Sequence, residues 1–226
     1  LMGYGSYEQA RGGIEHRQKN IFGLAHQSRL ELVQSLKTSS GDYTYTVPEL
    51  FGESLDGTAR LFGLQREEVA FVRQEYGLNL SLKRRIRPLG GEASAGYTFG
   101  SYRNSESSLS SQATDDAQLN VASVNFGLSG DRRDNPLRPR RGYHWSTQAE
   151  AAHPTLGSQS TYQRFEVARA YHTGWGEGRW IHVGLSHGVV TTFDSDGTTL
   201  PVNKRFYPGG GNSIRGYQRG EAAPRD

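Results

Sequence analysis

Residues 76–83, YGLNLSLK, place Tyr76, Leu78, Leu80 and Leu82 on one side of an extended chain and Gly77, Asn79, Ser81 and Lys83 on the other. A period of two is the signature of a β-strand with one apolar and one wet face. The pattern recurs downstream. Ala93, Ala95, Tyr97 and Phe99 oppose Ser94, Gly96, Thr98 and Gly100, and Ala122, Val124, Phe126 and Leu128 oppose Ser123, Asn125 and Gly127. Trp145, Thr147, Ala149 and Ala151 alternate with Ser146, Gln148 and Glu150, and Ile181, Val183, Leu185 and Val189 with His182, Gly184, Ser186 and Gly188. Leu30, Leu32 and Leu36 continue the theme with Gln34 intruding.

Two segments read less cleanly. In residues 57–66 the set Ala59, Leu61 and Gly63 competes with Phe62 and Leu64 for the apolar face, so the register stays open. In residues 162–171 Arg169 shares its parity with Phe165, Val167 and Tyr171. A lipid-facing arginine at mid-bilayer costs roughly 2–4 kcal/mol. That places Arg169 near an interface, or makes the strand a misreading.

Composition narrows the class. The 226 residues are only 34% hydrophobic, with mean hydropathy −0.69, which is lean for a thick soluble core. Gly at 29 and Tyr at 12 favour strands and turns over helices. Cysteine is absent, which excludes disulfides and thiolate metal sites. A net charge of +3 is far from the basic stripe of a nucleic-acid binder. No run reaches the ~18 apolar residues of a membrane helix, a test that leaves a transmembrane β-barrel open. The chain starts LMGYGSYEQA and stops at EAAPRD, and both ends read as cuts in a longer protein.

About eleven strands can be counted, and their connections fall on two sides. One side holds the Ser-rich tract 103–117 and the long segment 193–217, and the other holds residues 87–91, 131–142 and 174–179. Short turns on one side and long polar loops on the other are a habit of outer-membrane barrels. Alternation alone also suits a soluble β-sandwich or a lipocalin-like barrel, because it does not say which face points inward. The polar faces of Gly, Asn, Ser and Gln suit a wet lumen. Tyr76, Tyr102, Trp145, Tyr171 and Trp180 near strand ends suit aromatic girdles. The reading is an all-β, antiparallel transmembrane barrel.

Four stretches give the barrel a family. RFYPGGGNSIRGY contains Arg205, Phe206, the glycines Gly209, Gly210 and Gly211, and the tetrapeptide Ile214, Arg215, Gly216 and Tyr217. DRRDNPLRPRRG fits the form DxRDNPxxPxxG through Asp131, Arg133, Asp134, Asn135, Pro136, Pro139 and Gly142. YTYTVPELFG at 43–52 follows NIFGLA at 20–25. Taken in chain order and with this spacing, they resemble the BamA/TamA superfamily of outer-membrane assembly barrels, also known as bacterial surface antigen barrels, over nearly the whole chain.

The resemblance implies a sixteen-strand barrel in the outer membrane of a Gram-negative bacterium, or of a related organelle. All 226 residues would belong to that one domain, with the last strands and the preceding periplasmic POTRA domains outside them. It implies a protein that inserts or translocates other outer-membrane or autotransporter proteins. Alternatives are a two-partner-secretion transporter, a passive porin or a soluble sandwich. Expected partners are unfolded clients, outer-membrane lipid and periplasmic or lipoprotein accessory subunits, with no nucleic acid. In the family the tetrapeptide arginine docks on the inner barrel wall, mostly on strands that follow the motif. Glu150, inward by parity, is the acidic candidate within this chain.

The DNP turn reads as structural, because Asn135 and Pro136 start a tight turn and Gly142 closes it. Arg138, Arg140 and Arg141 beside it could meet anionic headgroups. No enzyme is indicated. Gly209 to Asn212 lacks the Lys-Ser/Thr of a phosphate loop, no nucleophile elbow occurs, and His182 and His187 sit on opposite faces of one strand. Neither a cofactor nor a metal is expected.

Overall fold

The structure is a computed structural model that describes residues 2–5, 9–52, 54–67, 72–105, 118–176, 178–193, 200–201 and 204–206. Eleven strands form one sheet in chain order: β1 (Met2–Gly5), β2 (Gln9–Ile21), β3 (His26–Ser35), β4 (Thr38–Val47), β5 (Leu55–Glu67), β6 (Val72–Ile86), β7 (Gly91–Ser105), β8 (Leu119–Asp131), β9 (Gly142–Ala152), β10 (Tyr162–Gly174) and β11 (Trp180–Thr192). Each is antiparallel to the next, the meander expected when short connections join alternating segments.

Register turns the sequence alternation into two chemically distinct faces. Asn79 lies opposite Thr98, and Thr98 opposite Ser123, while Leu80 meets Tyr97 and Tyr97 meets Val124. The apolar face is open to its surroundings, with Leu61 55%, Leu80 45% and Phe126 60% exposed. Water would not leave so continuous a greasy band bare, but hydrocarbon is its natural medium. The opposite face is polar and ion-paired. Glu15 takes Arg17 and Arg29 at 2.5 and 2.7 Å, Arg29 also reaches Glu31, and Arg60 meets Asp42 at 2.5 Å.

The open register in β5 resolves as Ala59, Leu61 and Gly63 outward. Phe62 faces inward opposite Gly77, and a side chain there would come within 2.9 Å of the Phe62 ring. Arg169 keeps the outer parity in an unbroken register and lies opposite Trp145 and Leu185, two residues before Tyr171. Its charge therefore sits at the level of the aromatic girdle.

Two girdle assignments are corrected. Tyr102 is 7% exposed and faces inward, because Gly100 beside it leaves room for its ring against the wall. Trp180 pairs with Gly174 and shares the parity of the inward His182. Tyr76, Trp145 and Tyr171 keep the outer face.

The sides alternate as expected, yet the length asymmetry is weaker than the sequence suggested. One rim carries turns 22–25, 48–54, 87–90, 132–141 and 175–179, and is called here the turn rim. The opposite, loop rim includes the two-residue link 36–37 as well as the nine-residue link 153–161. Residues 103–105 of the Ser-rich tract extend β7, and 106–117 lie outside the described residues. The 153–161 link folds back onto the outer side. Gln159 exchanges two hydrogen bonds with the Asn120 backbone, and the Tyr97 hydroxyl donates to the Leu156 carbonyl at 2.9 Å.

Candidate functional site: a loop seated on the inner wall

Downstream of β11 the chain returns to the polar face of the sheet. Leu200, 8% exposed, packs with Tyr102, Val121, Ala152 and Tyr162, which β7 to β10 present from their inner faces near the loop rim. Burying an apolar anchor there fixes where the following residues can land.

Lys204 lands on Glu150. Its Nζ donates to Oε1 at 2.6 Å, and the same oxygen accepts from the Tyr162 hydroxyl and Ser123 Oγ, both at 2.8 Å. Only 16% and 13% of the Lys204 and Glu150 side chains stay exposed, so the pair is mostly desolvated. Three donors on one carboxylate oxygen are the compensation a buried charge requires.

Phe206 is the second contact. Its ring stands where a Cβ on Gly188 would be, 2.5 Å from Cζ, and the Arg164 guanidinium sits 4.8 Å from its centre. Arg164 is held by Glu166 at 2.6 Å. The glycine leaves the space and the guanidinium supplies a cation–π contact. Arg205, between the two anchors, is exposed.

Below the loop lies a polar hollow of about 310 Å³ lined by Asn79, Thr98, Asn125, Gln148, Glu150 and Glu166, among others. Thr98 Oγ1 accepts from Asn79 and Asn125 at 2.7 and 3.0 Å. Asn79, Thr98 and Asn125 are thus tied together on a polar wall.

Of the residues singled out in the sequence, Arg205, Phe206 and Glu150 fall at this site. Gly209, Gly210, Gly211, Ile214, Arg215, Gly216 and Tyr217 lie outside the described residues. The cation on Glu150 among the described residues is Lys204, which the sequence reading did not single out. Its signal was positional, a lysine directly before the Arg-Phe pair.

The DNP turn is self-contained. Asp134 Oδ1 accepts from the backbone N–H groups of Asn135, Arg140 and Arg141, and Asn135 Oδ1 from those of Leu137 and Arg138. These bonds, from Arg140 first, hold the Asp134 carboxyl below the usual carboxylate range. Arg133 grips Asp131 at 2.5 Å, and that bond raises its own pKa further. Gly142 has φ +104°, and a Cβ there would meet the Arg132 carbonyl oxygen at 2.1 Å.

Sequence reasoning also missed a row of imidazoles on the inner face. His172, 7% exposed, approaches His182 with Nδ1 atoms 3.1 Å apart, and the His144 ring lies 5.8 Å away. Strand pairing assembles them from residues far apart in sequence. Among the described residues, no group of three or more His, Asp or Glu has the arrangement to hold a metal.

A sheet greasy outside, polar and ion-paired within, and visited on its wet face by its own loop is the wall of a transmembrane β-barrel of the Gram-negative outer membrane. The Omp85 superfamily domain matches residues 20–226, and the chain belongs to that superfamily. It is 25% identical to the outer membrane protein assembly factor BamA of Nitratidesulfovibrio vulgaris, an alignment covering all of this chain and 28% of the relative. It is similar in fold to the crystal structure of BamA from Haemophilus ducreyi lacking POTRA domains 1–3, with TM-score 0.80 and 18% identity over 99% of this chain and 46% of that one. The chain therefore spans less than a third of the curated relative it matches.

Proposed function

We propose that this chain is the larger part of the barrel wall of an assembly factor that inserts other outer-membrane proteins, and that residues 204–217 form its working internal loop. The rest of the barrel and the periplasmic domains would lie outside these 226 residues. The observation that carries the reading is the seating of the loop's start on the inner wall through Lys204–Glu150 and Phe206–Gly188. Superfamily membership and the assembly-factor name of the similar N. vulgaris protein support it.

Physically, insertion needs no nucleotide: a client gains by burying its apolar face and pairing its strand edges. The loop's part is to brace the wall from within. Arg215, further along the same segment, would add a planar, permanently charged fork to the wet interior. Unfolded clients, outer-membrane lipid and accessory subunits are the partners this role implies.

In the full-length protein, Arg215→Ala should lower the steady-state level of outer-membrane proteins while the barrel itself still folds, as read by heat-modifiable gel mobility. Unchanged client levels with a folded barrel would remove the loop from the mechanism. A secreted partner polypeptide that accumulates in the periplasm while other barrels insert normally would instead assign the chain to secretion.

A further inference from the structure

The turn rim carries exposed apolar side chains where a water-facing rim would have polar ones. Phe22 is 85% exposed, Phe51 89%, Leu137 97% and Trp175 55%, each in a different turn. Two of these turns share one backbone. Phe22 at φ 58° precedes Gly23 at φ 74°, and Phe51 at φ 59° precedes Gly52 at φ 74°. Bulky L-residues rarely take that conformation, and when they do the surroundings normally justify it by packing the side chain. Here the ring points away from the protein, so the justification lies outside it.

Charge on the 132–141 turn leans positive, while the 48–54 turn carries Glu49. Asp131 is engaged by Arg133, Asp134 by backbone amides, and Glu92 by Lys83 at 2.9 Å. The Arg138, Arg140 and Arg141 side chains flank Leu137 with no ion pair among the described residues, although the Arg140 and Arg141 backbone N–H groups donate to Asp134. An exposed leucine ringed by guanidinium groups without ion pairs asks for a medium that is both greasy and anionic.

Height selects that medium. Tyr143 and Tyr171 on the outer face lie one and three residues from the ends of their strands at this rim. At about 3.3 Å per residue the turns begin within about 10 Å of a girdle that marks the hydrocarbon edge. A headgroup layer is roughly 5–7 Å thick on each side, and a strand tilt of about 35–45° shortens the rise, so the turns begin within it. The lipid-facing surface and the rim are thus continuous.

We propose that the turn rim is an anchor in the anionic headgroup layer of the leaflet it faces, with the tips Phe22, Phe51, Leu137 and Trp175 set among the headgroups and Arg138, Arg140 and Arg141 on lipid phosphates. Apolar tips and snorkelling arginines divide the work as they do at other membrane surfaces. The anchor would fix the height and tilt of the barrel independently of what the barrel inserts.

The test uses the full-length protein in phosphatidylcholine vesicles with and without phosphatidylglycerol, with spin labels at Phe51→Cys and Leu137→Cys. Both labels should report the depth of the interface, accessible to oxygen and shielded from an aqueous nickel relaxer. The triple variant R138E/R140E/R141E should lower the preference of the lipid shell for spin-labelled phosphatidylglycerol over phosphatidylcholine by about fivefold or more. Labels as open to nickel as a bulk-water site, or a preference unchanged in a folded triple variant, would overturn the proposal. Labels equally immobile and shielded in detergent and in vesicles would also overturn it, by showing that protein covers the rim. If the triple variant fails to fold, the two label depths decide alone.

Discussion

At the residue scale the decisive contact is one carboxylate oxygen. Glu150 Oε1 collects Lys204, Tyr162 and Ser123, and removing either charge would strand the other on a wall with few replacements. Taking one partner from a mostly buried pair costs about 3–5 kcal/mol. Glu150→Ala should therefore release the loop, read as faster proteolysis and hydrogen exchange over 193–206. The double variant with Lys204→Ala should recover part of the loss. Parity in residues 144–151 made Glu150 legible as an inward acid. Lys204 was not, because its partner lies more than fifty residues away and only the folded loop joins them. The imidazole row escaped for the same reason: His172 and His182 meet by strand pairing, which no local spacing announces.

Among the elements, the 132–141 turn is where sequence and geometry agree residue by residue. Asx chemistry at Asp134 and Asn135 and a positive φ at Gly142 are what such a turn demands. Gly142→Ala should destabilise the β8–β9 hairpin by about 1–3 kcal/mol, since it combines a strained backbone with a 2.1 Å collision. Unfolding of the full-length protein in detergent would show it as a lower midpoint.

The same turn predicts a pH response. The folded-state pKa of Asp134 lies below its unfolded value, so its contribution is present above roughly pH 4 and is lost as pH falls through the folded pKa. Asp134→Asn should flatten that acid-side loss. Strand β5 was less legible, because Phe62 and Leu61 are equally apolar. Only pairing across the sheet, which sets Phe62 between Asp42 and Gly77 and Leu61 between Tyr43 and Leu78, decides that Phe62 turns inward.

For the whole molecule, the alternation of polar and apolar residues read as two faces, and the structure assigns the greasy one to lipid. Leu80→Arg on that face should cost roughly 2–4 kcal/mol in equilibrium folding of the full-length protein into vesicles, while Gln148→Arg on the wet face should cost far less. Equal penalties would contradict the assignment of sides. Sequence showed the number of strands and their order, because each hairpin is local. It overstated the difference in length between the rims, since the link at 36–37 is shorter than any turn opposite.

The rings that lie on glycines carry a lesson for variation. Phe62 rests by Gly77, Tyr102 by Gly100, Trp145 by Gly130 and Phe206 by Gly188, so each bulky group borrows volume from a partner that has none. A survey of every single substitution would then find some of its least forgiving sites where the sequence is blankest. At Gly100, Gly130 and Gly188, where the ring is the nearest obstacle, restoring the site would require shrinking that aromatic, so each pair should drift together through evolution as one unit.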